Sequence, residues 1–180
     1  IVKGMYRYRA AKERRPLHVQ LWGSGSIMMQ VLAAADILEE RFGGSADIWG
    51  VTSYSRMRDE ALACERHNRL RPLDEPRVPF ISHQLKDVEG PFIAATDYMK
   101  LVPDQVARWV PGRLVSLGTD GFGMSDTREG LRRHFEVDAE SIALAALDAL
   151  RLEGRIPAEN VAKAVSELGI DAGKVDPMLV

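Results

Sequence analysis

The sequence predicts a three-layer α/β domain built on a five-stranded mixed sheet. Short apolar runs that end in glycine or polar loops alternate with longer amphipathic stretches, a pattern typical of strands joined by helices. Two strand-like runs, 78–85 and 91–95, are separated by only five residues, too few for a parallel crossover. We therefore expect four parallel strands, one antiparallel edge strand and helices on both faces of the sheet.

Composition narrows the class of protein. The chain has 180 residues and a formal net charge of −2, which suits one domain and gives no general basic field for nucleic acid. Its single cysteine, Cys64, excludes a disulfide framework and a cysteine-rich zinc site, and fits a reducing compartment. The apolar runs are too short to span a bilayer. We expect a cytoplasmic protein with no nucleic-acid or membrane partner.

The N-terminal residues show no clean periodicity. Residues 1–16 begin with Ile1 rather than Met and end in a charge run, so we predict a linker from absent upstream domains. Residues 17–180 are then the folded domain, and the chain is expected to be a piece of a longer polypeptide.

The first half of the chain alternates predicted strands and helices. Residues 17–22 (LHVQLW) alternate in polarity, whereas the apolar positions of 27–42 recur at helical spacing. Gly43 and Gly44 suit the end of that helix. The prediction continues with a strand at 46–51, a helix at 54–70 capped by Ser53 or Ser55, and a loop at 71–79 that contains three prolines.

The Gly23-x-Gly25 turn after the first strand matches only part of a dinucleotide fingerprint. Met28 occupies the position of the third glycine, and no acid follows the second strand to bind a ribose hydroxyl. Close packing therefore explains these glycines better than nucleotide binding, although the amides at the helix start could meet a carboxylate or phosphate.

The second half contains the strand predicted to be antiparallel. Residues 78–85 (VPFISHQL) look strand-like, and Pro79 confines such a strand to an edge because it cannot donate to a central ladder. Residues 91–95 form a parallel strand. The remaining predictions are a helix at 98–110 capped by Thr96 or Asp97, a strand at 114–119, helices at 127–135, 139–152 (capped by Asp138) and 157–168, and an irregular tail at 171–180.

The stretch 114–128 (LVSLGTDGFGMSDTR) is the most distinctive part of the chain. An apolar run stops at a loop with three glycines, and Ser125, Asp126 and Thr127 then precede a helical pattern as N-caps do. In open α/β sheets such a loop lies at the carboxyl edge, where ligands and partner surfaces collect. The plainer alternative is a connection whose glycines only permit positive φ.

The sequence shows no catalytic or metal-binding motif. It contains no G-x-S-x-G elbow, no P-loop and no H-E-x-x-H pair. Arg132 and Arg133 beside His134 disfavour a metal and suit an acidic partner. The four histidines are not spaced in the sequence as metal ligands are: His18, His67, His83 and His134.

Seven segments together resemble one family. Nearly end to end and in order, the chain is similar to the C-terminal domain of the homodimeric, thiamine-diphosphate-dependent pyruvate dehydrogenases of bacteria, in the transketolase superfamily. A five-stranded mixed sheet is implied by that superfamily. The segments are KGMYRYR (3–9), VQLWGSGSI (19–27), ADIWGVTSY (46–54), LACERHNRL (62–70), GPFIAATDYMK (90–100), LGTDGFGMSDTR (117–128) and LRRHFEVDAE (131–140).

The resemblance implies an activity for the parent enzyme. It would decarboxylate pyruvate on thiamine diphosphate and Mg²⁺ and pass the acetyl group to the lipoyl group of dihydrolipoyl acetyltransferase. In this family the cofactor, metal and catalytic residues lie on the two upstream domains. The resemblance therefore implies no catalytic, cofactor-binding or metal-binding residue in this sequence, and we expect the fragment alone to be inactive and to bind no cofactor.

The domain's own role is predicted to be structural. We expect part of the 119–128 loop to pack on a neighbouring domain or subunit and to stabilise a homodimer, with Phe122 as an apolar anchor. Two alternatives remain: a stand-alone module that binds a small anion or a partner protein, and the same domain from another 2-oxo acid dehydrogenase or a transketolase. The predicted interface residues are Thr119, Asp120, Gly121, Phe122, Gly123, Ser125, Asp126 and Arg128.

Overall fold

One mixed sheet of five strands, in the order β1-β3-β2-β4-β5, organises the computed structural model, which describes residues 1–179. Strands β2 to β5 are parallel to one another, and β1 runs antiparallel to its neighbour β3. The predicted fold class is confirmed. The strands are Met5–Arg9 (β1), His18–Gly23 (β2), Ser45–Val51 (β3), Phe92–Ala95 (β4) and Leu114–Leu117 (β5).

Helices cover both faces of this sheet. They are Met28–Arg41 (α1), Tyr54–Leu70 (α2), Phe80–Leu85 (α3), Leu101–Asp104 (α4), Arg128–His134 (α5), Ala139–Leu152 (α6) and Ala158–Glu167 (α7). Short 3₁₀ turns occur at Gly25–Ile27, Ala107–Trp109 and Pro177–Leu179. Among residues 1–179, none of these helices has the length and apolar character needed to cross a membrane.

Two apolar clusters, one on each face, form the core. The alternating side chains of a strand point to opposite faces, so Leu21 joins the cluster under α1, α6 and α7. Its neighbour Trp22 joins the cluster under α2 and α3, where it meets Phe92 edge to face. The central strands are therefore buried on both sides, as parallel sheets are.

The antiparallel edge strand is β1, and the prediction that residues 1–16 are all linker was wrong for 5–9. Met5 pairs with Val51 and Arg7 with Trp49, and the Arg7 guanidinium lies 4.9 Å from the Trp49 ring centroid. Tyr6 lies over Gly50, where a Cβ would meet the ring at 2.7 Å. Edge strands are often protected by charge, and the arginines of β1 concealed its pattern in the sequence.

Residues 78–85, predicted to be that edge strand, instead form α3. Pro79 stands at the N-cap, a position that tolerates its missing N–H. Ile81 and Leu85, four residues apart, are both fully buried, which is helical rather than alternating spacing. The run was misread because the six residues of α3 are too few to distinguish helical periodicity from the alternation of a strand.

The predicted helix at 98–110 is broken into α4 and a 3₁₀ turn. The carbonyl of Tyr98 accepts a hydrogen bond from the amide of Thr119 at 2.9 Å rather than from an amide of a following helical turn. Pro103 contributes no N–H to the short α4. Three predicted caps are confirmed, because the side chains of Ser53, Thr127 and Asp138 each accept a backbone N–H at a helix start.

Candidate functional site

Three polar turns meet at the carboxyl edge of the sheet. They follow β2, β4 and β5, which are neighbours in the sheet, and they comprise residues 24–26, 96–98 and 119–120. The register pairs Gly23 with Ala95 and Ala95 with Leu117, so the three strands end at one level. This is the edge at which ligands and partners meet open α/β sheets.

A buried hydroxyl pair joins the first two turns. The Oγ of Ser24 donates to Oγ1 of Thr96 at 2.8 Å, and the amide of Tyr98 donates to the same Thr96 oxygen at 3.2 Å. Nearer the surface, Oγ of Ser26 donates to Oδ2 of Asp97 at 3.3 Å. The turns after β2 and β4 are therefore joined to each other by side-chain hydrogen bonds.

The predicted interface loop starts from a fixed position. Oγ1 of Thr119 donates to the carbonyl of Asp97 at 2.9 Å. The carboxylate of Asp120 accepts the amide of Lys100 at 3.2 Å, and the Lys100 ammonium lies 3.8 Å from it. At Gly118 a side chain would collide with the carbonyl of Tyr98, so glycine is required for this close approach.

The middle of the loop presents its apolar side chains to solvent. Gly121 has a φ of +99° and lies directly against the carbonyl of Pro177 in the C-terminal tail, where a Cβ would collide. The tail is in turn held by Lys174, whose ammonium binds the carbonyls of Arg133 and His134. Phe122, next to this contact, is 82% exposed. The backbone is thus supported from below while the aromatic ring is left uncovered.

The end of the loop is closed by local hydrogen bonds. Oδ1 of Asp126 accepts the amide of Thr127 at 2.6 Å, and Oγ1 of Thr127 accepts the amide of Gly130 at 3.1 Å. Ser125 and Arg128 are exposed. The eight predicted interface residues therefore lie in one segment whose two ends are held and whose centre faces outward.

A groove of about 320 Å³ lies between this loop, α5 and the carboxyl edge. Thr119, Gly123 and Arg128 are the predicted interface residues that line it. Sequence reasoning had described Arg132 as suited to an acidic partner but did not place it at this edge. It missed the other lining residues, although Ser26 and Asp97 follow predicted strand ends and could have been found from that position. The remaining lining residues are Ile27, Met124, Leu131, Arg132, Phe135 and Val137.

A second polar cluster lies at the opposite, amino edge of the sheet. Nδ1 of His18 lies 2.8 Å from Oγ of Ser45, and its Nε2 lies 3.6 Å from Oδ2 of Asp47. Burial lowers the pKa of His18, and the charge of Asp47 partly opposes that effect. The amide of Arg15 donates to Ser45 and that of Ala11 to Asp47, so the cluster holds residues 11–15 against the sheet.

This cluster contains the residue types of a hydrolase triad but not its arrangement. In a triad the serine meets Nε2 of the histidine and the carboxylate meets Nδ1, whereas here the two contacts are exchanged. Ser45 is also 4% exposed, and its oxygen already accepts a backbone amide. The cluster is structural.

The fold and this edge geometry agree with a known domain family. The family described as "Transketolase-like TK C-terminal domain" matches residues 4–138. The chain belongs to this family. The match begins before β1, which agrees with the placement of that strand in the sheet.

Curated relatives of this C-terminal domain share its whole length. The pyruvate dehydrogenase E1 component of Cupriavidus necator is 46% identical over 100% of the chain and 20% of that protein. That of Escherichia coli K12 is 46% identical over 99% of the chain and 20% of the protein. The chain therefore spans about a fifth of the length of the relatives that it matches.

Solved structures show the same fold at low identity. A transketolase from Campylobacter jejuni superimposes with a TM-score of 0.54 at 17% identity, over 82% of this chain and 19% of that one. A transketolase from Leishmania mexicana gives 0.52 at 14% identity, over 83% of this chain and 18% of that one. These similarities establish the architecture of the C-terminal domain.

Proposed function

We propose that this chain is the C-terminal domain of a bacterial pyruvate dehydrogenase E1 component. Identity of 46% along the full chain to proteins of that name supports the proposal. The parent enzyme would be cytoplasmic and would pass an acetyl group from pyruvate to the lipoyl group of dihydrolipoyl acetyltransferase. Thiamine diphosphate, when bound with Mg²⁺, supplies the stabilisation of the carbanion in such enzymes.

The described residues give no support for a site for that cofactor in this domain. Mg²⁺ at a diphosphate needs oxygen ligands, usually including one or two carboxylates. Within residues 1–179, no three His, Cys, Asp or Glu side chains are grouped so that they could hold a metal. In the proposal the cofactor is held by other parts of the parent chain, and no catalytic step is assigned to these residues.

The role proposed for the domain is to stabilise a homodimer through the 119–128 loop. The single observation that carries this role is Phe122, which is 82% exposed on a loop whose ends are fixed. Pre-organised loops lose little entropy on association, and buried aromatic anchors dominate interface energies. Further large apolar side chains are exposed on the same edge: Tyr98, Met99, Leu101 and Met124.

Sedimentation of the full-length enzyme tests this role. We expect the double variant Phe122→Ala, Asp126→Ala to raise the dimer dissociation constant by at least about tenfold, because it removes the anchor and a support of the loop. The matched control is Leu73→Ala, Asp74→Ala, which removes a 99% exposed leucine and its acidic neighbour from the loop between α2 and α3. Equal dissociation of the two variants would contradict the proposal.

The runner-up is the same domain from a transketolase. Solved transketolases share the fold, but at 17% identity or less in the two superpositions described. The full-chain identity to pyruvate dehydrogenase components favours the first proposal. Turnover of pyruvate by the parent enzyme, with a lipoylated acceptor protein, distinguishes the two.

A further inference from the structure

The groove beside α5 combines an apolar floor with uncompensated positive charge. Its floor is formed by Ile27, Val137 and the half-buried Leu131 and Phe135. Ile27 and Val137 belong to the larger core cluster, and Phe135 packs against it. Met124 stands beside them and is exposed. The volume of about 320 Å³ is at the lower end of the range for ligand pockets, roughly 300–1,000 Å³. It suits a few side chains better than a large cofactor.

Two arginines border this floor. Arg128 and Arg132 are one helical turn apart on α5, and within residues 1–179 neither forms an ion pair or a side-chain hydrogen bond. Their neighbour Arg133, by contrast, binds Asp138 at 2.8 Å. Like charges four residues apart on a helix repel, so an anion placed between these two guanidinium groups would be stabilised.

The acidic wall of the groove sets the orientation of an occupant. Asp97 lines the groove from the carboxyl edge, in the turn after β4, and accepts a hydrogen bond from Ser26. A carboxylate on the occupant would be repelled from Asp97 and attracted to α5, and an apolar side chain would lie on the floor between them.

We propose that this groove binds a polypeptide segment that presents an apolar side chain close to an Asp or Glu carboxylate. The inference deepens the proposed function, because the segment would belong to a neighbouring domain or subunit of the parent enzyme. Charge complementarity with Arg128 and Arg132 selects an acidic segment. The apolar floor selects a polypeptide over a free inorganic anion, which would leave that floor uncovered.

Photo-cross-linking in the full-length enzyme tests the identity of the occupant. A benzophenone amino acid is placed at position 124, at the edge of the groove, and for comparison at position 29, where Met29 is exposed on α1 outside the lining. We expect position 124 to yield one cross-linked peptide from outside this domain that contains Asp or Glu beside an apolar residue. A peptide without an acid, or no cross-link above that at position 29, would overturn the inference.

Charge reversal tests the role of the two arginines. Arg128→Glu with Arg132→Glu should reduce the cross-link at position 124 by at least about tenfold, and changing the acid of the captured peptide to Lys should restore it. The matched control is Arg66→Glu with Arg69→Glu, exposed arginines on α2 that also form no ion pair within residues 1–179. An equal yield in both reversed proteins overturns the inference.

The two proposals fail separately. If the Phe122 variant weakens the dimer but the cross-link does not depend on charge, the role of the loop in the dimer is retained and the acidic segment is rejected. Unchanged dimerisation together with a charge-dependent cross-link would reject the role of the loop in the dimer and retain the acidic segment.

Discussion

His18 shows how one residue can join a strand to the segment before it. Its buried imidazole contacts Ser45, which also accepts the amide of Arg15. If the Ser45 hydroxyl donates to Nδ1, the neutral ring carries its proton on Nε2, which faces Asp47. Burial lowers the pKa of His18 below its usual value of 6.5, as expected for a ring that is neutral in the folded protein.

Folding stability should therefore fall as the pH drops below about 6.5. In that range the unfolded chain binds a proton at His18 that the folded chain does not yet accept, so acid favours unfolding. We expect His18→Asn, which keeps an acceptor near Ser45, to reduce the loss of urea stability between about pH 7.5 and pH 5.5. The control is His83→Asn, at an exposed position on α3. An identical pH dependence in both variants would contradict the expectation.

The strand β1 is the element that sequence patterning failed to identify. Its buried residue is Met5, and the residues after it are increasingly exposed, so only one position of the strand carries a strong apolar signal. A basic strand at the edge of a sheet and a basic linker have similar amino-acid sequences. Pairing with β3 distinguishes them, because the backbone hydrogen bonds do not depend on the side chains.

Substitution of Met5 tests whether β1 belongs to the folded domain. Met5→Ala should lower the free energy of unfolding by about 2–5 kcal/mol, because Met5 is 2% exposed within the cluster under α2 and α3. Tyr8→Ala, at a 53% exposed position on the same strand, should cost much less. Urea denaturation of the 180-residue chain measures both, and equal midpoints would indicate that β1 acts as a linker. The extension of residues 1–16 into upstream domains stays a prediction.

The helix α3 was predicted as a strand, whereas the strand β1 was predicted as a linker. Residues 78–85 contain Val, Phe and Ile, which favour strands, and Pro79 reads as an edge signal. In the fold the same proline starts a helix, and burial of Ile81 and Leu85 against the sheet decides the conformation. Tertiary packing overrides local preference most easily in such short elements.

At the level of the whole molecule, both faces of the sheet are covered by packed helices, whereas the carboxyl edge exposes apolar side chains. Apolar clusters fill both sides of the sheet, whereas several large apolar side chains of the carboxyl edge are exposed. The chain spans about a fifth of the length of the relatives that it matches. In the proposed function, a neighbouring domain or subunit of the parent enzyme covers the exposed edge.

The isolated chain should bind no thiamine diphosphate. In the proposal, thiamine diphosphate and its metal are held by other parts of the parent chain, and within residues 1–179 no three His, Cys, Asp or Glu side chains are grouped so that they could hold a metal. Calorimetric titration with thiamine diphosphate and Mg²⁺ should show no saturable heat, and the full-length enzyme under the same conditions is the positive control. Tight, Mg²⁺-dependent binding to the 180 residues would refute the expectation that the cofactor is held by other parts of the parent chain.

The sequence by itself determined the fold class, the four parallel strands, three helix caps and the position of the 119–128 loop. Periodicity, glycines and capping residues are local signals, and in these elements they agree with the packing. Only the tertiary structure decided which strand is antiparallel, and only it brought Asp97 and α5 together around one groove. Strand pairing and the closure of a groove depend on residues distant in the chain, which no local pattern records.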